Sequence, residues 1–278
     1  RWHENGHAAV SEFPSPGWGH VPYRGLMMKY VLWAASPYVC FVVLVGGLIW
    51  RRRYDQFGWT SRSSSLYESK VLKIASPVFH YALLAVLLGH VVGLAVPISF
   101  TDSIGISNHT YHEFAVLIGG PIGGIMIIAL GGLIIRRRRN RSVFRATTAN
   151  DKVMFVVLGA VVLMGLAATC TGGHYLNGSE HNYRETVSVW FRSLFTLQPN
   201  VRAMADAAWQ FQVHVVMAMI LIAAIPFTRL VHAFAAPLHY LFRPYVVYRS
   251  RDMIDAHTRT AAGRGWDAVG TQDNVRSR

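Results

Sequence analysis

The chain has 278 residues, 52% of them from the AVILMFWYC set and only 15% charged, where soluble globular chains carry roughly 25% charge. The missing charge is concentrated in runs of about twenty residues without Asp, Glu, Lys or Arg, long enough to cross a bilayer as helices, so a soluble enzyme is excluded. Two cysteines, Cys40 and Cys170, exclude a disulfide scaffold, a Cys-rich zinc site and an iron–sulfur cluster held by this chain alone. A net charge of +13 would suit nucleic acid, but its distribution follows a membrane instead.

Residues 1–26 are polar and irregular, an upstream extension or appended sequence. An all-α membrane domain over 27–250 follows, with five transmembrane helices expected near Tyr30–Trp50, Ile74–Val96, Ala115–Ile135, Val153–Thr169 and Gln212–Ala235. The first run has no cleavage site of the signal-peptide type, so it is expected to stay in the mature protein. Basic residues follow the first span (Arg51–Arg53, Arg62, Lys70, Lys73), the third (Arg136–Arg139, Arg141, Arg145, Lys152) and the fifth, which together hold 21 of the 27. By the positive-inside rule the N-terminus is expected outside and the C-terminus, with the polar tail 251–278, in the cytoplasm. Anionic lipid and cytoplasmic proteins are then the partners of the basic clusters, and nucleic acid is not. No GxGxxG, Walker or HExxH pattern occurs.

Four of the thirteen histidines lie in apolar runs: His80 and His90 in the second, His214 and His232 in the fifth. Ionisable groups there face a cavity, a partner or a cofactor. The second and fifth spans are antiparallel, so His80 pairs in depth with His232 towards the cytoplasm, and His90 with His214 towards the outside. Neutral imidazoles hydrogen-bonded across helices would explain any one of them. Two stacked pairs also permit axial ligation of two irons. Continuous α-helices would separate His80 from His90 by roughly 15 Å and His214 from His232 by roughly 27 Å. The mismatch must be absorbed by tilt, ring orientation or a kink at Pro226.

Gly89 and Gly93 flank His90, and the third span carries Gly119, Gly120, Gly123, Gly124, Gly131 and Gly132. Such glycines serve close helix packing or make room for a flat macrocycle. Covalent haem would need CxxCH, which is absent. Cys40 and Cys170 read as small apolar residues. Two histidines per iron leave no open coordination position, which favours outer-sphere electron transfer over oxygen activation.

Several local patterns together resemble the gamma-subunit family of respiratory nitrate reductases, membrane di-haem cytochromes b. They are RYDQFGW after the first span, the spacing from SPVFH to GHVVG, FRATT at Phe144–Thr148, NGSE at Asn177–Glu180, and IPFTRLVH followed by APLHYLFRPY. The resemblance runs from about Tyr30 to Arg249. It implies two non-covalent b haems, His80 and His232 holding the one nearer the cytoplasm and His90 and His214 the outer one. It also implies oxidation of quinol, menaquinol being expected, near the outer haem in the bacterial or archaeal cytoplasmic membrane. Electrons would pass to an iron–sulfur beta subunit and a molybdenum-containing alpha subunit, where nitrate is reduced. Where family members carry a lysine associated with quinol before the third span, this chain has Tyr111, followed by His112 and Glu113. These three are the quinol-site candidates, with Gly89 as a pocket residue.

Arg145 and Arg229 are candidates for haem propionates, because guanidinium binds carboxylate in a bidentate fork; positive-inside anchoring explains them equally. His109 and His112, three apart, have metal-pair spacing, against a simple solvated loop. His174, His181 and His239 remain unassigned. Two other functions stay open at this stage. One is a cytochrome b of another anaerobic respiratory complex, of sulfur or heterodisulfide type. The other is a proton-coupled transporter using buried histidines, although histidines on only two of five spans show no inverted duplication.

Overall fold

A computed structural model describes residues 23–55, 58–59, 70–172 and 182–234, and every regular element among them is helical. Helix α1 (Tyr23–Tyr30) continues through a π-helical turn, Val31–Ala35, into α2 (Ser36–Tyr54). Helices α3 (Lys70–Ala95), α4 (Ile98–Ser103), α5 (Asn108–Arg139), α6 (Arg141–Arg145) and α7 (Ala149–Gly172) follow. Beyond them lie α8 (Val187–Phe195), α9 (Val201–Ala205) and α10 (Trp209–Ala224), then 3₁₀ turns over Ile225–Phe227 and Arg229–Ala233. Five stretches are long and apolar enough to cross a bilayer: Arg24–Tyr54, Lys70–Ala95, Asn108–Arg139, Ala149–Thr171 and Trp209–Phe227. They overlap the five expected spans, the fifth ending at Phe227 and not at Ala235. The third runs past Ile135 because its terminal arginines continue the helix, where cations favour the C-terminal carbonyls.

Helix α5 packs between α3 and α7, and α10 packs on α7 and α2. One buried cluster joins Phe79, Ala82, Met126, Ala129, Leu130, Leu158 and Val162 from α3, α5 and α7. A second gathers Trp33, Val187, Trp190, Val201, Met204, Ala207 and Met219 at the end where α8 and α9 fold over the bundle. Its central contact is made on the carbonyl of Trp33, in the π-helical turn that precedes Pro37. The indole N–H of Trp190 donates to that carbonyl at 2.7 Å, and the two indoles meet edge to face at 6.0 Å.

The fifth span breaks where the sequence suggests only a kink. The α-helix stops at Ala224, and Thr228 is extended, with φ −121° and ψ 178°. His232 therefore sits in a 3₁₀ turn, and the helical rise that separates it from His214 by five full turns does not apply.

Many large apolar side chains of the spans face outward, as expected of helices solvated by lipid: Val42, Leu84, Leu88, Ile128 and Val156 are all exposed. The tail residues 1–22, the NGSE and APLHYLFRPY segments, Gln56, Phe57, His174, His181 and His239 lie outside the described residues.

Candidate functional site

The four intramembrane histidines come together as two pairs. The rings of His80 and His232 have centroids 6.2 Å apart and planes inclined by 64°. Those of His90 and His214 are 5.9 Å apart and inclined by 34°. His80 with His214, the other conceivable pairing, is not brought together.

In each ring Nδ1 lies on a backbone carbonyl. His80 donates to Ser76 O at 2.7 Å and His90 to Val86 O at 2.8 Å, each four residues back on α3. His232 donates to Arg229 O within its turn, and His214 donates across helices to Val161 O of α7 at 3.1 Å. Donation from Nδ1–H fixes the tautomer and leaves the Nε2 lone pair available. Cross-helix hydrogen bonding thus accounts for part of the His214 environment, but no hydrogen bond joins the two rings of either pair among the described residues.

Whether haem fits can be tested on these spacings. Imidazole nitrogen binds a first-row metal at roughly 2 Å and the ring centre lies about 1 Å further back, so two imidazoles that would share one iron stand about 6 Å apart between centroids. Both pairs have that separation, and their Nδ1 atoms on carbonyls leave Nε2 to hold such a group. Among the described residues no group of three or more His, Cys, Asp or Glu is placed to hold a bare metal ion.

The glycines of the spans differ in their surroundings. Gly119 and Gly123 face Thr169 and Leu166 of α7, and Gly132 faces Ala75 of α3, so these serve helix packing. A Cβ on Gly89, Gly120, Gly124 or Gly131 would meet no described atom within 4 Å. A Cβ on Gly93 would stand 3.0 Å from the Tyr183 hydroxyl. Gly165 of α7 carries no sequence signal, yet a Cβ there would stand 2.9 Å from His214 Cε1. Its missing side chain is what lets the imidazole cross the α7 backbone to Val161.

At the end of the bundle where α4, α5 and α8 meet, Arg184 is almost wholly buried. Its guanidinium donates to Thr101 Oγ1 at 3.1 and 3.2 Å, Asn108 Oδ1 at 3.3 Å and Val96 O at 3.4 Å, and lies 3.9 Å over the ring of Tyr111. Arg192 donates to Leu94 O at 3.1 Å and Ser188 to Gly93 O at 2.9 Å, tying α8 to the end of α3 a few residues beyond His90. The Tyr183 hydroxyl is pushed well above the usual tyrosine range, first by burial and then by its hydrogen-bonded neighbour Tyr111, with Arg184 opposing the shift. Tyr183 is therefore protonated throughout ordinary pH. Of the candidates read from sequence, Tyr111 and His112 are half-buried on α5, while Glu113 is exposed and lies 3.8 Å from His109. Arg184 was not among them, since nothing local distinguishes it from the other basic loop residues.

At the opposite, arginine-rich end, Arg229 does not stand open towards the histidines as a lone cation. It forks onto Asp151, with Nη2 2.6 Å from Oδ2 and Nε beside Oδ1. Arg145 is exposed at the end of α6.

The sequence profile described as nitrate reductase gamma subunit matches residues 29–251. The nitrate reductase gamma chain of Bacillus subtilis is 39% identical over 228 residues, which is 81% of this chain and 100% of that one. The respiratory nitrate reductase 2 gamma chain of Escherichia coli is 30% identical over 77% of this chain and 94% of its own length. The nitrate reductase-like protein NarX of Mycobacterium tuberculosis is 51% identical over 87% of this chain. The chain spans 37% of that relative's length.

Proposed function

Because the chain belongs to the nitrate reductase gamma subunit family, and is a multi-pass membrane protein of the bacterial kind, we propose that it is the quinol-oxidising cytochrome b of such a complex. His80 and His232 hold one b haem and His90 and His214 the other. The observation that carries this reading is the pair of imidazole pairs, each about 6 Å between centroids, each with Nδ1 on a carbonyl. Bound haem supplies one-electron transfer without an open coordination position for substrate.

In this reading the N-terminus is outside and the arginine-rich end faces the cytoplasm, as the positive-inside rule requires. The beta and alpha subunits dock there, carrying iron–sulfur centres and molybdenum, and nitrate is reduced in the alpha subunit. The family match favours this assignment over a cytochrome of sulfur or heterodisulfide type and over a transporter.

Quinol binds at the other end, near Gly89, His90 and Tyr111, where open space adjoins Gly89. A quinol hydroxyl must lose its proton as it is oxidised, and a positioned His or carboxylate accepts it directly or through one water. His112 and Glu113 are the acceptors that the sequence supplies there. Tyr111 orients the ring. It is held against Arg184 and hydrogen-bonded to Tyr183, whose own proton is retained and so cannot serve as the base. Proton release on this side, with electrons leaving at the other, makes turnover generate a membrane potential.

Two experiments test the reading. A pyridine haemochrome assay on pure protein should give two haems per chain, extractable into acid–acetone; one or none refutes the cofactor assignment. His112→Ala with Glu113→Ala should slow reduction by a menaquinol analogue while both haem spectra persist, and unchanged reduction removes these residues from the proton path.

A further inference from the structure

We infer that Asp151 is a positioning residue for the His80 and His232 pair, acting through Arg229. The inference rests on the haem reading above and concerns what orients its ligand. The ring of His232 is set by its Nδ1–H bond to Arg229 O, so its orientation follows the Arg229 peptide. That peptide lies in a break, after the extended Thr228, where no α-helical ladder fixes the chain.

The fixing comes from outside the span. The Arg229 guanidinium reaches back to α7 and forks onto both carboxylate oxygens of Asp151, a geometry that restrains direction as well as distance. Asp151 is itself immobilised. It is 2% exposed, its Oδ2 accepts from Thr148 N at 2.8 Å, and its N–H donates to Thr148 Oγ1 at 3.3 Å. That reciprocal arrangement is a capping box at the start of α7. The neighbouring Asn150 donates from Nδ2 to Phe227 O at 2.7 Å. From the other side Arg51 of α2 donates to Pro226 O, to Thr228 O at 3.2 Å and to Gly58 O at 2.9 Å. Arg51 and Asn150 hold the flanks of the break. The Asp151–Arg229 fork ends on the residue whose carbonyl holds His232.

Such second-layer contacts tune a metal ligand even though they never touch the metal. A buried ion pair is poor evidence for stability as such and better evidence for a specified geometry. Arg229, which the sequence offers as a propionate partner, here connects Asp151 to the histidine.

The test is redox titration, with low-temperature optical spectra, of the purified complex carrying Asp151→Asn, Arg229→Lys, Thr148→Val or His232→Ala. His232→Ala identifies which of the two b components belongs to this pair; if it leaves both intact, the haem reading itself fails. Given that component, Asp151→Asn and Arg229→Lys should each shift its midpoint and broaden its α-band while the other component stays in place. Thr148→Val, which removes the cap hydroxyl that accepts from Asp151 N–H and leaves the fork, should move the same component less than Asp151→Asn does. An unmoved component in Asp151→Asn, or an equal shift of both, overturns the inference. If Asp151→Asn does not accumulate, Arg229→Lys decides by the same criteria.

Discussion

Replacing Gly165 with alanine isolates the contact that seats His214. The added Cβ would lie 2.9 Å from Cε1, 3.3 Å from Nδ1 and 3.5 Å from Nε2 of the imidazole. Comfortable carbon contacts begin at about 3.5–4.0 Å, so the ring must withdraw by about 0.5–1 Å. Helix α7 is held between α5 and α10, so the ring moves rather than the backbone, and its 3.1 Å bond to Val161 O is stretched or lost. Overpacking costs about 1–3 kcal/mol and a lost hydrogen bond about 0.5–1.5 kcal/mol, against a gain of roughly 0.5–1 kcal/mol from Gly to Ala inside a helix. A net loss of about 1–3 kcal/mol is expected. Gly159 on the same helix is the control, since a Cβ there meets nothing within 4 Å and only the propensity gain remains. Thermal unfolding of the two variants should differ in sign relative to the parent. Redox titration should show the His90 and His214 component displaced in Gly165→Ala alone. A Gly165→Ala protein that melts no lower than Gly159→Ala, with that component unmoved, would refute the reasoning.

Single alanine variants of the four histidines should fall into two spectroscopic classes, His80 with His232 and His90 with His214, because the rings meet in those pairs; grouping of His80 with His214 would contradict the structure. Trp190→Phe should cost about 1–3 kcal/mol by removing the indole donor to the Trp33 carbonyl; thermal unfolding within about 0.5 kcal/mol of the parent would disprove that account. Arg184→Met should destabilise by about 3 kcal/mol, since it removes a buried cation whose donors engage Thr101, Asn108 and Val96; denaturant unfolding within about 0.5 kcal/mol of the parent would count against it.

The five spans and the four histidines were legible in the sequence because a bilayer imposes a local rule. An apolar run of about twenty residues announces itself without reference to any other part of the chain, and an ionisable side chain within it stands out against that background. Antiparallel order then makes each histidine's partner a matter of depth, and the structure does place His80 beside His232 and His90 beside His214. Helix α5 outran its expected end at Ile135 because composition marks the lipid-embedded stretch and is silent about arginines that prolong the helix beyond it.

Which glycine packs and which leaves space depended on azimuth around α5, set by where α3 and α7 come to rest. The break at Thr228 and the Asp151–Arg229 fork that holds it involve residues far apart in the chain, and so does the burial of Arg184 over Tyr111. Arg184, Arg192 and Arg202 look alike as basic residues of one loop, yet only Arg184 is enclosed, because α4 and the start of α5 close over it. Hydrophobic periodicity carries no record of such contacts. They are selected by packing among helices that each form independently, and are therefore decided only when the helices assemble.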